Sequence, residues 1–292
     1  MCNLFIHYPA SLIDEWIKED IPFADLTTSI LGLVKKQSRA KIITREPITV
    51  CGLQEAARVY EHLGASVKPI VAEGEQVEAG TTLMIAEGTA GSLHAAWRVA
   101  QSFIAIGSAI ASYTRSLVKR AKQVNPNIII AVARKAPPGL RHLYYHCVLC
   151  GGASLHRVGI SDSFLAFPNH TRLLGGIHSL IEVIRERRDL IGERRVVVEV
   201  ETIEEAIAAA KSGVIDEVQL DHMDPVELEK VVKIIKSINP NVRVAIGGGI
   251  NADNIADYAS TGVDVIVTSA PYWVKPANIT TIIEPLNNAE TM

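Results

Sequence analysis

From about residue 127 the chain alternates short apolar, β-branched runs with amphipathic stretches of helical period, which sharply limits its possible architectures. The runs 128–133, 164–167, 196–201, 217–221, 242–246 and 263–268 predict strands, and 177–187, 203–211, 225–237 and 251–260 predict helices between them. Strand, helix, strand at this spacing implies parallel pairing, because each helix returns the chain to the end where the next strand begins. Six or more such units curl into a barrel. The competing architecture is an open, doubly wound sheet, which is disfavoured because no strand–glycine–helix dinucleotide fingerprint stands out. The predicted strand ends carry Arg134, Glu201, Asp221, Gly247 and Ser269, at the edge where α/β enzymes keep their sites.

The first ninety residues read differently. Segments 39–49 and 66–84 predict short strands around a helix at 53–63, with tight turns over 73–80. A long helix over 94–123 follows, stopped by Asn125-Pro126. The expected division is an N-terminal domain over 1–95 and a barrel over 96–272, with 273–292 packing back on the first domain.

A 292-residue chain with 48% hydrophobic and 21% charged residues builds a substantial core. A net charge of −3 argues against a nucleic-acid partner, which calls for a basic face. No apolar stretch reaches membrane-spanning length, and residues 1–10 lack the pattern of a signal peptide, so no membrane partner and a cytoplasmic location are expected. Cys2, Cys51, Cys147 and Cys150 are too few and scattered for a disulfide framework. Cys147 and Cys150, with His146 before and His156 after, invite a zinc reading but lack a second paired motif. Two small thiols on consecutive helical turns, packed against the core, is the better reading.

Two runs stand out chemically: Ala133-Arg134-Lys135-Ala136-Pro137-Pro138-Gly139, and Gly151-Gly152-Ala153-Ser154-Leu155-His156-Arg157. Cations beside glycine-rich backbone suit a small anionic substrate. Glu199-Val200-Glu201 on an alternating strand places both carboxylates on one face. Asp221 ends the next strand, so Glu201 and Asp221 are expected to meet at one rim and hold magnesium, the alternative being that they form ion pairs with nearby cations. Gly247-Gly248-Gly249-Ile250 follows a strand and precedes a helix expected to start near Asn251, a ready phosphate cradle beside Thr268, Ser269 and Ala270. A phosphate cradle, a carboxylate pair and a cationic pocket on one rim suit a sugar phosphate activated by pyrophosphate. Group transfer through an oxocarbenium-like state needs positioning and charge stabilisation more than a nucleophile.

With these residues in place, the chain resembles the quinolinate phosphoribosyltransferases (nicotinate-nucleotide pyrophosphorylases), and more closely their ModD-type relatives found beside molybdate transport genes. The resemblance spans nearly the whole length. It rests on Ala24-Asp25-Leu26-Thr27-Thr28, Trp97-Arg98-Val99-Ala100-Gln101, Arg134-Lys135, His156-Arg157, Val198-Glu199-Val200-Glu201, Gln219-Leu220-Asp221, Gly247-Gly248-Gly249-Ile250, Thr261-Gly262-Val263-Asp264 and Val267-Thr268-Ser269-Ala270-Pro271-Tyr272. It implies an α/β fold, an incomplete (open) TIM-like barrel with an N-terminal α/β sandwich domain. It also implies that Arg134, His156 and Arg157 grip a carboxylate substrate, with Arg98 contributed by a neighbouring subunit. Lys135, Glu201 and Asp221 would face phosphoribosyl pyrophosphate and Mg2+, and Gly247, Gly248, Gly249, Ser269 and Ala270 would lie near the 5′-phosphate. The implied assembly is a homodimer with shared active sites, or a hexamer of such dimers.

The departures narrow the substrate. Where quinolinate enzymes carry a lysine in Leu-Ile-Lys-Asp-Asn-His, this chain reads Leu165-Ala166-Phe167-Pro168-Asn169-His170. Removing that cation leaves one carboxylate of a buried dianion uncompensated, a penalty of about 3–5 kcal/mol. Val132 replaces an aspartate, Leu155 an asparagine, and Ala136 and Pro137 two threonines. The expected acceptor is therefore an anion other than quinolinate, with an apolar edge against Phe167. The competing readings are retained quinolinate transfer and a non-catalytic protein that binds an oxyanion such as molybdate.

Overall fold

The computed structural model describes residues 6–286, so Cys2 and the last six residues lie outside it. Two compact units interleave along the chain. The first takes the chain to Arg115, then Pro137–Gly152, and again from Val274; the second takes Ser116–Ala136 and Ala153–Trp273.

The first unit is built on a four-stranded antiparallel sheet. Its order is Ile279–Pro285, Gln37–Thr44, Thr82–Thr89, Ser66–Pro69, so a strand from the far end of the chain pairs with the first strand. Gln37–Thr44 alternates buried and half-buried positions, as expected for a sheet covered on one face. Helix Leu53–His62 packs on the strands Ser66–Pro69 and Thr82–Thr89 and buries Ala56, Val59 and Tyr60. The long helix Ala90–Val124 passes close to residue 51: a Cβ at Gly107 would stand 2.9 Å from the Cys51 carbonyl oxygen. Helix Arg141–Cys150 carries Cys147 and Cys150 on consecutive turns, both buried.

The second unit is a seven-stranded sheet ordered Ser154–Leu155, Ile129–Val132, Val265–Thr268, Arg243–Gly247, Glu217–Asp221, Val196–Glu199, Phe164–Ala166. Every neighbouring pair is parallel. The first strand of the series lies beside the last, as in a barrel, but among the described residues no ladder joins the two outer strands. This is the expected open barrel. Its central strands are almost wholly buried, which is why they read as unbroken apolar runs.

Local signals place the helices directly after the strand ends. Asp224 caps Pro225–Ile238 by accepting from the N–H groups of Val226 and Glu227, with Pro225 at the first helical position. Thr202 caps Ile203–Lys211 through the N–H of Glu205. Each cap contributes about 1 kcal/mol and, more importantly here, fixes where the strand must stop. No described helix is long and apolar enough to cross a membrane.

Candidate active site

Because the strands are parallel, all seven present their C-terminal ends at one edge. That edge surrounds a cleft of about 650 Å3, lined by Arg134, Lys135, His156, Arg157, Phe167, Glu199, Asp221, Gly247–Gly249, Ser269 and Ala270 among others. Residues from across 136 positions thus meet in one place.

The cationic side is held by sheet bonds that run on past the strands. The N–H of Ala133 donates to the Thr268 carbonyl (2.8 Å) and that of His156 to the Val132 carbonyl (3.0 Å). Arg134 and His156 therefore leave the ends of adjacent strands. Nε of Arg134 is buried without a hydrogen-bond partner. The Arg157 guanidinium carbon lies 5.3 Å from the centre of the Phe167 ring, which itself stacks on His170. Burial and the neighbouring Arg134 charge depress the Arg157 pKa, and burial followed by Arg157 lowers that of His156. A partly dehydrated cluster of like charge is primed for an anion.

The acidic side differs from the expectation in one member. Glu199 and Asp221 line the cleft, whereas Glu201 does not. The strand ends at Glu199, so the two-residue alternation stops before it reaches Glu201. Glu201 instead lies in the bend before the next helix, where its backbone N–H donates to Glu205 and its exposed carboxylate pairs with Arg172 at 2.6 Å. Burial raises the Glu199 pKa, with the Asp221 charge and, least, the nearby Glu201 charge adding to it, while Gln219 and Lys135 oppose the rise. Two carboxylates close enough to repel supply oxygen ligands that fit a hard divalent cation such as Mg2+, beside His222, whose Nε2 stands 3.7 Å from Asp221 Oδ2.

The glycine turn is constrained by His222, which the sequence reading did not single out. Gly248 and Gly249 have φ of +91° and +67°. A Cβ at Gly248 would stand 2.7 Å from both Cγ and the backbone nitrogen of His222. His222 itself sits at φ +53° and donates its N–H to the Gly247 carbonyl. A non-glycine residue in the left-handed region next to a tight glycine is the kind of strain that marks sites. The helix expected at Asn251 begins only at Ile255, after a turn in which Asn254 bonds the backbone of Gly249 and Asn251. The glycine turn therefore lines the cleft by itself, without a helix N-terminus directly behind it. Thr268 is occupied: its hydroxyl donates to the Ile250 carbonyl and accepts from the Ala270 N–H. Ser269 is the hydroxyl left to line the cleft.

Arg98 belongs to the first unit. Its guanidinium lies over Trp97, and it lines a separate cleft with His94 and residues of the segment 20–33.

The model of the quinolinate phosphoribosyl transferase C-terminal domain matches residues 110–280, and that of the N-terminal domain matches 25–108. The chain belongs to the quinolinate phosphoribosyltransferase family. A ModD protein of Rhodobacter capsulatus, named as a pyrophosphorylase, is 40% identical over 84% of this chain and 94% of its own length. The corresponding Pasteurella multocida protein is 31% identical over 96% and 99%. Among solved structures, the nicotinate-nucleotide pyrophosphorylase of Francisella tularensis superposes with a TM-score of 0.86 at 27% identity, covering 95% of this chain and 98% of that one. As a quinolinate phosphoribosyltransferase family member the protein is a pentosyltransferase, with a half-barrel cleft that carries opposed cationic and acidic walls.

Proposed function

We propose that the protein joins a heterocyclic carboxylate other than quinolinate to phosphoribosyl pyrophosphate, in a magnesium-dependent reaction that releases pyrophosphate. The observation that carries this reading is the unpartnered, buried Nε of Arg134 on a wall shared with His156, Arg157 and Phe167. A guanidinium donor without a protein partner has an anionic ligand as its natural complement. Phe167 beside Arg157 supplies an apolar face where a second carboxylate would need a cation.

In this reading the acceptor's carboxylate binds Arg134 and Arg157, with its ring edge against Phe167. The Gly247–Gly249 turn and Ser269 hold the 5′-phosphate, which fixes the ribose between the two walls. An acceptor ring nitrogen then forms the bond to the anomeric carbon as the bond from that carbon to the pyrophosphate oxygen breaks, the electron pair leaving with pyrophosphate. Lys135 faces the charge that develops on the leaving group. Glu199 and Asp221 would hold Mg2+, which when bound neutralises pyrophosphate charge. Arg98 would act across a homodimer interface, from one subunit into its partner's cleft, in a cytoplasmic enzyme.

The test is to incubate the full-length protein with phosphoribosyl pyrophosphate, Mg2+ and a panel of pyridine and other heterocyclic carboxylates, scoring pyrophosphate release and the ribonucleotide mass. A nucleotide product from a monocarboxylate, with quinolinate poor by comparison, supports the reading. Quinolinate turnover at ordinary enzyme rates refutes the acceptor assignment. Tight molybdate binding in calorimetry, without affinity for phosphoribosyl pyrophosphate, refutes catalysis and any role in molybdenum metabolism other than carrying the oxyanion.

A further inference from the structure

The first unit buries a second group of reactive side chains that phosphoribosyl transfer does not use. Cys51, Glu73, His146 and Cys150 each bring a sulfur, oxygen or nitrogen ligand atom to one point, all four atoms lying within 4.8 Å of one another. Cys51, His146 and Cys150 are buried, and Glu73 is a half-buried residue whose carboxylate oxygen Oε2 is shut off from solvent. The four come from three separate segments, and each is held in place by its own backbone device. Cys51 follows the short strand Ile48–Thr49, and its N–H and carbonyl both bond the hydroxyl of Ser108. Glu73 is oriented by the start of helix Leu53–His62, where the Gln54 N–H donates to Oε1 at 3.0 Å. His146 and Cys150 stand four residues apart on helix Arg141–Cys150, hence on one face of it.

The hydrogen bonds of this cluster do not close. Oε2 of Glu73 and Nε2 of His146 are both buried with no partner. Nδ1 of His146 lies 3.0 Å from Oε1 of Glu55, a buried carboxylate that also accepts from the Tyr8 hydroxyl. Native cores rarely leave a carboxylate oxygen and an imidazole edge unsatisfied, because each has given up water without replacement. Metal-bound histidines commonly meet a carboxylate through the second ring nitrogen, and Glu55 occupies that position.

We infer that Cys51, Glu73, His146 and Cys150 form a structural zinc site in the first unit. Two sulfurs, one imidazole nitrogen and one carboxylate oxygen make a four-ligand set suited to tetrahedral Zn2+, and thiolates disfavour Mg2+ or Ca2+. Four protein ligands in a buried setting leave no open position for substrate, so the ion's role is to tie the three segments together. The zinc reading along the chain takes His146, Cys147, Cys150 and His156 together. Folding replaces Cys147 and His156 with Cys51 and Glu73. Cys147 sits beside the site, its sulfur 3.0 Å from that of Cys51.

The decisive measurement is elemental analysis of the tag-free, full-length protein, as purified from zinc-supplemented cells and after gel filtration. The expected content is about one zinc per chain, falling by roughly tenfold in Cys150→Ser and in His146→Ala but retained in Cys147→Ser. Reconstitution with Co2+ should give intense visible bands of a tetrahedral ion and thiolate charge transfer in the near ultraviolet. Wild-type protein holding less than about a tenth of a zinc per chain, before and after refolding with added Zn2+, overturns the assignment. So does zinc that leaves with Cys147→Ser and stays with Cys150→Ser.

Discussion

Gln219 faces Glu199 across two adjacent parallel strands, and its side-chain amide donates from Nε2 to the Glu199 carboxylate. This cross-strand pair turns Glu199 into a wall of the cleft, and it leaves Glu201, two residues later, outside.

The two glutamates are therefore separable. Glu199→Ala should weaken binding of magnesium phosphoribosyl pyrophosphate by about tenfold or more, equivalent to roughly 1.4 kcal/mol. Glu201→Ala loses only an exposed pair with Arg172, worth about 0–1 kcal/mol of stability, and should bind nearly as wild type. Titration calorimetry of both variants checks this, and a larger loss in Glu201→Ala would restore the alternation argument.

Gly248 and Gly249 test whether the turn is tight for a reason. Alanine at 248 meets His222 at 2.7 Å and must also hold φ +91°, so a destabilisation of about 2–4 kcal/mol is expected, with lost phosphate binding. Alanine at 249 meets nothing within 4 Å and carries only the cost of positive φ, about 1 kcal/mol. Denaturant melts of the two variants should differ accordingly; equal losses would contradict a role for His222.

Arg134→Ala should reduce turnover by at least about a hundredfold while leaving the melting temperature unchanged or slightly higher. The reason is that the unliganded protein keeps a buried donor of Arg134 without a partner. A fall in stability matched by little loss of activity would assign Arg134 to the fold instead of the substrate.

His156 sets a pH signature. Burial, reinforced by Arg157, holds its folded pKa below the ordinary 6.5. Between the folded value and 6.5 the unfolded chain binds a proton that the folded chain does not, so stability rises with pH through that window. The stability that neutral His156 contributes is thus complete above 6.5 and is lost as pH falls. His156→Gln lacks this dependence. The wild-type advantage over the variant should shrink on acidification below 6.5, and a parallel pair of stability curves would refute the shift.

Phe167→Lys places a cation beside Arg157. It should lower the stability of the unliganded protein through like-charge repulsion, and raise quinolinate affinity by about tenfold or more. Unchanged quinolinate binding would show that Phe167 does not select the acceptor.

Much of the second unit is legible along the chain. The runs over 128–133, 217–221 and 263–268 become the strands Ile129–Val132, Glu217–Asp221 and Val265–Thr268, because a buried parallel strand must be apolar throughout and its helix must be amphipathic. The capping residues Thr202 and Asp224 mark helix starts by chemistry confined to a few neighbours. Cations at strand ends are equally local, so Arg134, Lys135, His156 and Arg157 can be placed at the cleft from sequence pattern and family resemblance together.

What escaped that reading depends on contacts between distant segments. Whether Glu199 or Glu201 faces the cleft turns on where a strand stops pairing with its neighbour, which no alternation within the strand records. His222 matters because a glycine 26 positions later packs against it. The quartet of Cys51, Glu73, His146 and Cys150 spans about a hundred positions, and its members become ligands for one another only when a turn, a loop and a helix are packed together. Periodicity encodes what each segment buries; which side chains then share a point in space is set by long-range packing, and the chemistry of both sites rests on it.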